Sequence, residues 1–336
     1  MLDYAEYLAL KRSNPNEKCY IENLIYEIGD SQSAISMWNG YELESVFDIK
    51  APNIKEIFSE DQWNEIINHV KESRFWLDNW RYSDAVCKAF ANEGVLLKPL
   101  NNRPSLEEKE KTNGILKRTR TRFAGTYIGY SVKRLLYIVF QNAVIKKVST
   151  PEKLFYATDE DIYGGHFLKF QYKGNGIDNI DADIRQAFKF SEITDDKNLV
   201  CLDIINSTNS VSIHARRGDM LGINKYCYEY GYFKRAVKFI KRKVADPVFF
   251  FFCDPGSVEW CRENYDIFGL DKNEDTVNFV DWNKGNQSYR DMQLMSKCKH
   301  NIITTSSFGW WGAYLNENPN KITCSPDIRI NTTNSF

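Results

Sequence analysis

Two adjacent arginines close the apolar run that begins at Ser210, in the stretch His214-Ala215-Arg216-Arg217-Gly218-Asp219. Neither guanidinium is cheaply buried without an anion, and the forked donors of arginine suit phosphate oxygens. Gly218 lets a backbone come close, and Asp219 can orient an arginine from behind. A salt-bridge network without a ligand fits the same spacing. Arg217-Gly218-Asp219 also spells an integrin-type tripeptide, which is out of place inside a strand-to-helix turn. A second constellation is Thr305-Ser306-Ser307-Phe308-Gly309-Trp310-Trp311-Gly312. Serines where a strand gives way to a helix offer hydroxyls and free N–H groups to a phosphate, although plain N-capping uses the same residues. A third is Cys253-Asp254-Pro255, whose carboxylate can accept from the N1–H and N2–H₂ edge of guanine or cap the next helix. Asp281-Trp282-Asn283-Lys284-Gly285 supplies another loop on the same rim. The Asp-x-Asp of Asp181-Ala182-Asp183 reads as acids opening the helix Ile184 to Phe188 rather than as a metal site.

These residues need a frame, and the pattern from Ser210 onward provides one. Short apolar runs at Ser210 to Ala215, Val248 to Phe252, Val277 to Val280, Asn301 to Thr304 and Ile322 to Cys324 read as strands. Between them lie helical patterns at Tyr232 to Ile240, Ser257 to Asn264, Ser288 to Lys297 and Phe308 to Asn316. Strand alternating with helix predicts an α/β, Rossmann-like unit, with ligands at the carboxyl ends of its strands. The first half is less regular: strands are expected at Lys18 to Ile21 and Gly94 to Leu97, and an amphipathic helix at Ile54 to Phe75. A helix over Ser131 to Val148 carries the apolar stripe Val132, Leu135, Leu136, Val139, Phe140, Ala143 and Val144. Lys117, Arg118, Arg120, Arg122, Lys133, Arg134, Lys146 and Lys147 make its surroundings basic. Two accounts fit: a solvated helix packed on the domain, or a peripheral membrane or lipid-linked-acceptor patch.

The chain has 336 residues, enough for two domains, and 44 Lys and Arg against 45 Asp and Glu leave no net field to draw it onto nucleic acid. Any anion must therefore meet a local cluster. The eight cysteines show no C-x-x-C pair and no zinc spacing, so thiols in a reducing cytoplasm are expected. The sequence shows neither a signal-peptide pattern nor an apolar run of about 18 residues, which predicts a cytoplasmic or membrane-peripheral location. His166 and His300 read as structural.

The run His214 to Asp219 resembles the H-x-R-R-G-D signature of family 11 glycosyltransferases, the α-1,2-fucosyltransferases. The likeness extends through Glu229-Tyr230, Asp281 to Gly285, Asp291-Met292, Cys298 to Ile303 and Ser306 to Ala313, and is dense from Asp181 to Pro326. Tyr4-Ala5, Tyr7 to Leu10 and Asn39 to Leu43 are also similar to the family's amino-terminal region. Members usually open with a strand and a loop similar to G-G-L-G-N-Q, whereas Met1 to Ala5 resembles the helix that follows that loop. Gly309 stands where the family usually has serine.

The resemblance implies a GT-B-like fold of two Rossmann-like domains facing a cleft. Residues 1–195 would form an acceptor-side α/β domain with a helical insertion at about 51–150, and 196–336 a domain binding GDP-fucose. It implies transfer of L-fucose to O2 of a terminal galactose, with inversion, no metal and no cofactor. Arg216 would grip the diphosphate with Arg217 and Asp219 in support, His214 and Asp254 would frame guanine, and Ser306 or Ser307 would meet the β-phosphate. A catalytically impaired, nucleotide-sugar-binding relative, or a transferase using another nucleotide sugar, is the alternative.

Overall fold

The computed structural model describes residues 1–13, 15–16, 18–28, 39–99, 125–145 and 180–326, together with 107, 119, 122–123 and 162–164. Lys117, Arg118, Arg120, Lys146, Lys147 and His166 lie outside the described residues. The chain divides into two compact units, Met1–Thr119 with Phe140–Lys189, and Arg120–Val139 with Phe190–Phe336.

The first unit begins with α1 (Leu2–Ser13) and α2 (Glu42–Phe47). The helix expected over Ile54 to Phe75 is broken in two. A 3₁₀ turn at Ile54–Ile57 is capped by Asn53 and Glu56, and α3 (Glu60–Glu72) by Ser59 and Gln62. Two capping boxes in succession satisfy the orphan N–H groups twice over, so the break at Phe58 costs little. Trp63, Ile66 and Val70 bury one face of α3, and α4 (Tyr82–Asn92) adds Ala85, Val86, Ala89 and Phe90 to the same core. Gly94, at φ +83°, ends that helix, so β1 starts only at Leu97 and runs to Pro99. Of the strand expected at Lys18 to Ile21, only a single bridge from Ile21 to Asn53 forms.

The helix α5 (Tyr127–Ile145) follows, and its residues through Val139 belong to the second unit. There it is seated by Tyr130, 4% exposed, whose ring lies 4.6 Å from that of Tyr230. Val132, Leu135, Leu136 and Val139 of its apolar stripe face outward, and aromatic contacts from the opposite side hold the helix on the unit. β2 (Ile162–Gly164) pairs in parallel with β1, and α6 (Asp181–Ala187) ends the first unit. In α6, Asp181 pairs with Arg185 at 2.9 Å and Asp183 with Arg12 at 2.8 Å.

After α7 (Asp196–Ser207), the second unit builds one parallel sheet from β3 (Asn209–Ala215), β4 (Pro247–Cys253), β5 (Thr276–Val280), β6 (His300–Ile302) and β7 (Thr323–Cys324). Their order in space is β5-β4-β3-β6-β7. Phe249, Phe250, Phe251 and Phe252 are all buried, as a central parallel strand requires. Strand alternation sends Val211, Ile213, Ala215, Phe249 and Phe251 to one face. That face is covered by α8 (Leu221–Glu229), α9 (Tyr232–Lys243), α10 (Val258–Glu263) and α11 (Tyr265–Phe268). In α9 the expected stripe of Tyr232, Phe233, Ala236, Val237 and Ile240 is the buried one. Phe250 and Phe252 meet α7, α12 (Tyr289–Lys297) and α13 (Ser307–Tyr314) on the other face. From β3 the chain moves outward to β4 and β5, then returns past β3 to β6 and β7. The order therefore reverses between β3 and β6, and it is at such a reversal that the carboxyl ends of strands leave a crevice.

Candidate functional site

Two of the three motifs flank that reversal, one after β3 and one after β6. The third, after β4, holds the first in shape. The Asp254 carboxylate accepts from the backbone N–H of Arg217 at 2.6 Å and of Gly218 at 2.8 Å, and pairs with Arg216 at 2.6 Å. It is a clamp on the β3 turn and not the side-chain cap of α10, whose N-cap is Ser257. Gly218 eases this approach, because a Cβ there would stand 3.3 Å from the Asp254 Cγ, a tight contact. The Arg216 guanidinium also reaches Asp219 at 2.9 Å. The Asp254 side chain is 9% exposed and that of Asp219 68%, so the first contact is built in and the second is open to exchange.

Arg217 points elsewhere. Its guanidinium lies 3.4 Å from the centroid of the Trp260 ring and 5.7 Å from that of Tyr228. It lines a cavity of about 660 Å³ with Lys225, Tyr228, Lys234 and Trp260. The buried Nε of Arg217 and the buried hydroxyl of Tyr228 make no hydrogen bond. The two arginines of the motif thus serve different sides of the sheet end.

His214, the next-to-last residue of β3, is 5% exposed, with its ring 5.7 Å from that of Phe308. Burial, and then the positive charge of Arg216, hold its pKa down to about 3, so the imidazole is neutral at physiological pH. Gly309 of α13 presses on this ring, and any Cβ there would overlap Nδ1. The glycine that departs from the family's serine thus accommodates His214. Ser306 is the N-cap of α13 in extended backbone, yet its hydroxyl caps nothing. The first-turn N–H groups of α13 therefore have no side-chain cap, and Ser307 is exposed beside them.

The sequence motifs omit the residue that ties the β3 turn to the β6 turn. Asn224 of α8, fully buried, donates to the Arg216 carbonyl at 3.1 Å and accepts from the Thr305 N–H at 3.0 Å. Its signal was there to read: Asn224, Cys227 and Tyr228 are spaced to share one helix face, and an asparagine on an apolar face must hydrogen-bond something. A second network forms behind β5. Asn198 accepts from Trp282 Nε1 at 2.8 Å and from Asn283 Nδ2 at 3.0 Å, and Asn283 Nδ2 also donates to Asp291 at 2.8 Å. The Asp281 to Gly285 motif is thereby engaged in holding α7 and α12 together. Burial pushes the Asp291 carboxyl up to about 7. Among the described residues no group of three or more His, Cys, Asp or Glu is gathered as metal ligands.

Residues 183–327 match the family model Glycosyl transferase family 11. An α-1,2-colitosyltransferase of Escherichia coli is 40% identical over 131 residues, which is 37% of this chain and 42% of that protein. The O-antigen biosynthesis glycosyltransferase WbnK, also of Escherichia coli, is 28% identical over 200 residues, covering 54% of this chain and 63% of the relative. The human galactoside α-(1,2)-fucosyltransferase 1 is 29% identical over 110 residues, 31% of this chain and 28% of the relative. The match thus spans less than two thirds of each of these relatives. No solved structure is a significant match. Residues 183–327, which contain the turns after β3 and β6 and the Asp254 clamp, are thus similar to glycosyl transferase family 11.

Proposed function

We propose that the chain is an inverting α-1,2-glycosyltransferase that moves L-fucose from GDP-fucose to O2 of a terminal galactose during surface-glycan synthesis. The observation that carries this reading is Arg216 at the strand-order reversal, fixed from behind by buried Asp254 and held in front only by exposed Asp219. A surface ion pair of this kind is worth about 0–1 kcal/mol, so a diphosphate could exchange with Asp219 at small cost. As the bond from sugar to phosphate breaks, positive character grows at the sugar's anomeric carbon and negative charge on the departing GDP. A guanidinium already in place lowers that barrier without reorganising. The uncapped start of α13 and the hydroxyls of Ser306 and Ser307 offer further donors to the β-phosphate. His214, neutral and next to Phe308, stands as the proposed guanine contact, while the Asp254 carboxylate is already engaged by the turn N–H groups and Arg216. The transfer is proposed to need no metal, and the first unit to supply the acceptor side of a GT-B-like pair.

The relatives' names divide between fucose and colitose, so the donor is the part to test. GDP release is measured with lactose as acceptor and with GDP-fucose, GDP-colitose, GDP-mannose or UDP-sugars as donor, in the presence of a chelator. Lactose-dependent release from GDP-fucose alone is expected. Release from another donor alone would replace the proposed sugar, and release from none would leave a nucleotide-sugar-binding relative without turnover.

A further inference from the structure

The helix α5 presents its most apolar side to solvent. Ile128, Val132, Leu135, Leu136 and Val139 are 67%, 43%, 62%, 51% and 64% exposed. Their spacing places them on one stripe, with Tyr130 roughly half a turn away on the side that seats the helix. Tyr130 is held by the Tyr226 and Tyr230 rings and receives a hydrogen bond from Arg235 at 3.1 Å. The helix is thus fixed at its back while its front is uncovered. Five large apolar side chains in one exposed stripe exceed the scatter of single exposed residues found on any surface.

Charge decides what kind of partner suits this face. From Lys111 to Lys147 the sequence holds nine Lys and Arg and no Asp or Glu, in a chain whose net charge is −1. Arg122 and Arg134 are exposed. A second copy of the same face would bring these like charges together, which disfavours a symmetric dimer. An apolar stripe carried by a segment with cations and no acids in its own sequence matches the boundary between headgroups and acyl chains in a membrane containing anionic lipid. No helix among the described residues is long and apolar enough to cross a membrane, so α5 would lie along the surface.

We propose that the outward stripe of α5, with the exposed Arg122 and Arg134 of the same segment, docks the protein on an anionic lipid bilayer. The exposed length from Tyr127 to Val139 is about 20 Å, enough to lay the five side chains along the interface. This does not depend on which sugar is transferred, because neither the stripe nor the cations belong to the crevice.

The test is co-flotation of the full chain with vesicles of phosphatidylcholine alone, or mixed with about one third phosphatidylserine. Binding to the mixed vesicles, weakened by salt, is expected. Leu135→Glu with Val139→Glu should abolish it, and Arg134→Ala should weaken it about fivefold, as expected for one cation near such a surface. Val200→Glu, at an equally exposed apolar site on α7 (61%), should leave it unchanged. Circular dichroism and GDP binding report whether each variant is folded. Failure of the wild-type chain to float with the mixed vesicles would overturn the proposal. So would flotation of the double variant at the wild-type level, or loss of self-association as the only effect of the Glu substitutions.

Discussion

On one side of the turn after β3, the Arg216 guanidinium meets two carboxylates, one buried and one exposed. On the other, the Arg217 guanidinium lies flat on an indole and makes no ion pair among the described residues. In this arrangement the two guanidiniums face different surroundings, Arg216 the carboxylates of Asp219 and Asp254 and Arg217 the Trp260 ring. Arg216 stands at the order reversal, with Asp254 buried behind it and the exposed Asp219 as its other partner. Arg217 instead forms a wall of the cavity beneath α8 and α10, where its stacking on Trp260 also secures the turn. Two identical side chains thus meet different partners within one turn.

The largest effect should separate the two arginines directly. Arg216→Ala is expected to lower kcat/KM for transfer by ~10²–10³-fold, the usual loss when a donor to developing charge is removed. Arg217→Ala should cost about tenfold or less, together with about 1 kcal/mol of stability from the lost stacking. Equal losses in steady-state rates would return both arginines to one diphosphate clamp.

The two carboxylates around Arg216 should differ as sharply in equilibrium denaturation. Asp254→Ala leaves two turn N–H groups and a guanidinium without their buried partner, and is expected to destabilise the second unit by roughly 3 kcal/mol. Asp219→Asn should change stability by about 0.5 kcal/mol or less. Comparable melts for the two would mean that Asp254 does not hold the turn.

Next in size is the contact behind Arg216. Gly309→Ala drives a Cβ into His214 and should cost about 1–3 kcal/mol, with coupled loss of GDP affinity. Adding His214→Ala makes room, so a double-mutant cycle should show strong positive coupling. Additive effects would separate Gly309 from His214.

The smallest effect is one of pH, on the same side of the sheet. The folded pKa of Asp291 is raised to about 7 from an ordinary 3.8, so the folded state holds the proton more tightly than the unfolded one. Stability from this group is complete below about pH 4 and is lost as pH rises through 7. Asp291→Asn keeps an acceptor for Asn283 and should stabilise the protein at pH 8 by on the order of 2 kcal/mol, with little change at pH 4. Thermal melts at the two pH values check this, and a gain of the same size at both would point to a cause other than ionisation.

Much of the second unit was legible in the sequence because its signals are local. The run of four phenylalanines in β4 and the 3.6-residue stripe of α9 each specify an element without reference to the rest of the fold. The first unit was less so. The apolar pattern through Ile54 to Phe75 is continuous, while the break at Phe58 depends on capping by Asn53 and Ser59, which a periodicity argument does not weigh. The same limit applies to α5, whose stripe was visible but whose orientation was not.

The residue types by themselves raised the expectation of an anion site at the carboxyl ends of β3 and β6, because arginines and serines there suit phosphate oxygens as well as a salt-bridge network or a helix cap. The resemblance of those residues pointed to a family that the model over residues 183–327 also matches. Only the tertiary structure decided which groups share a task. Asp254 and Asn224 reach the β3 turn across separations of 36 and 8 residues, and the Gly309 contact with His214 joins two crossover units. Such pairings depend on strand order and on the close approach that a glycine permits, and neither is encoded in the spacing of any one motif.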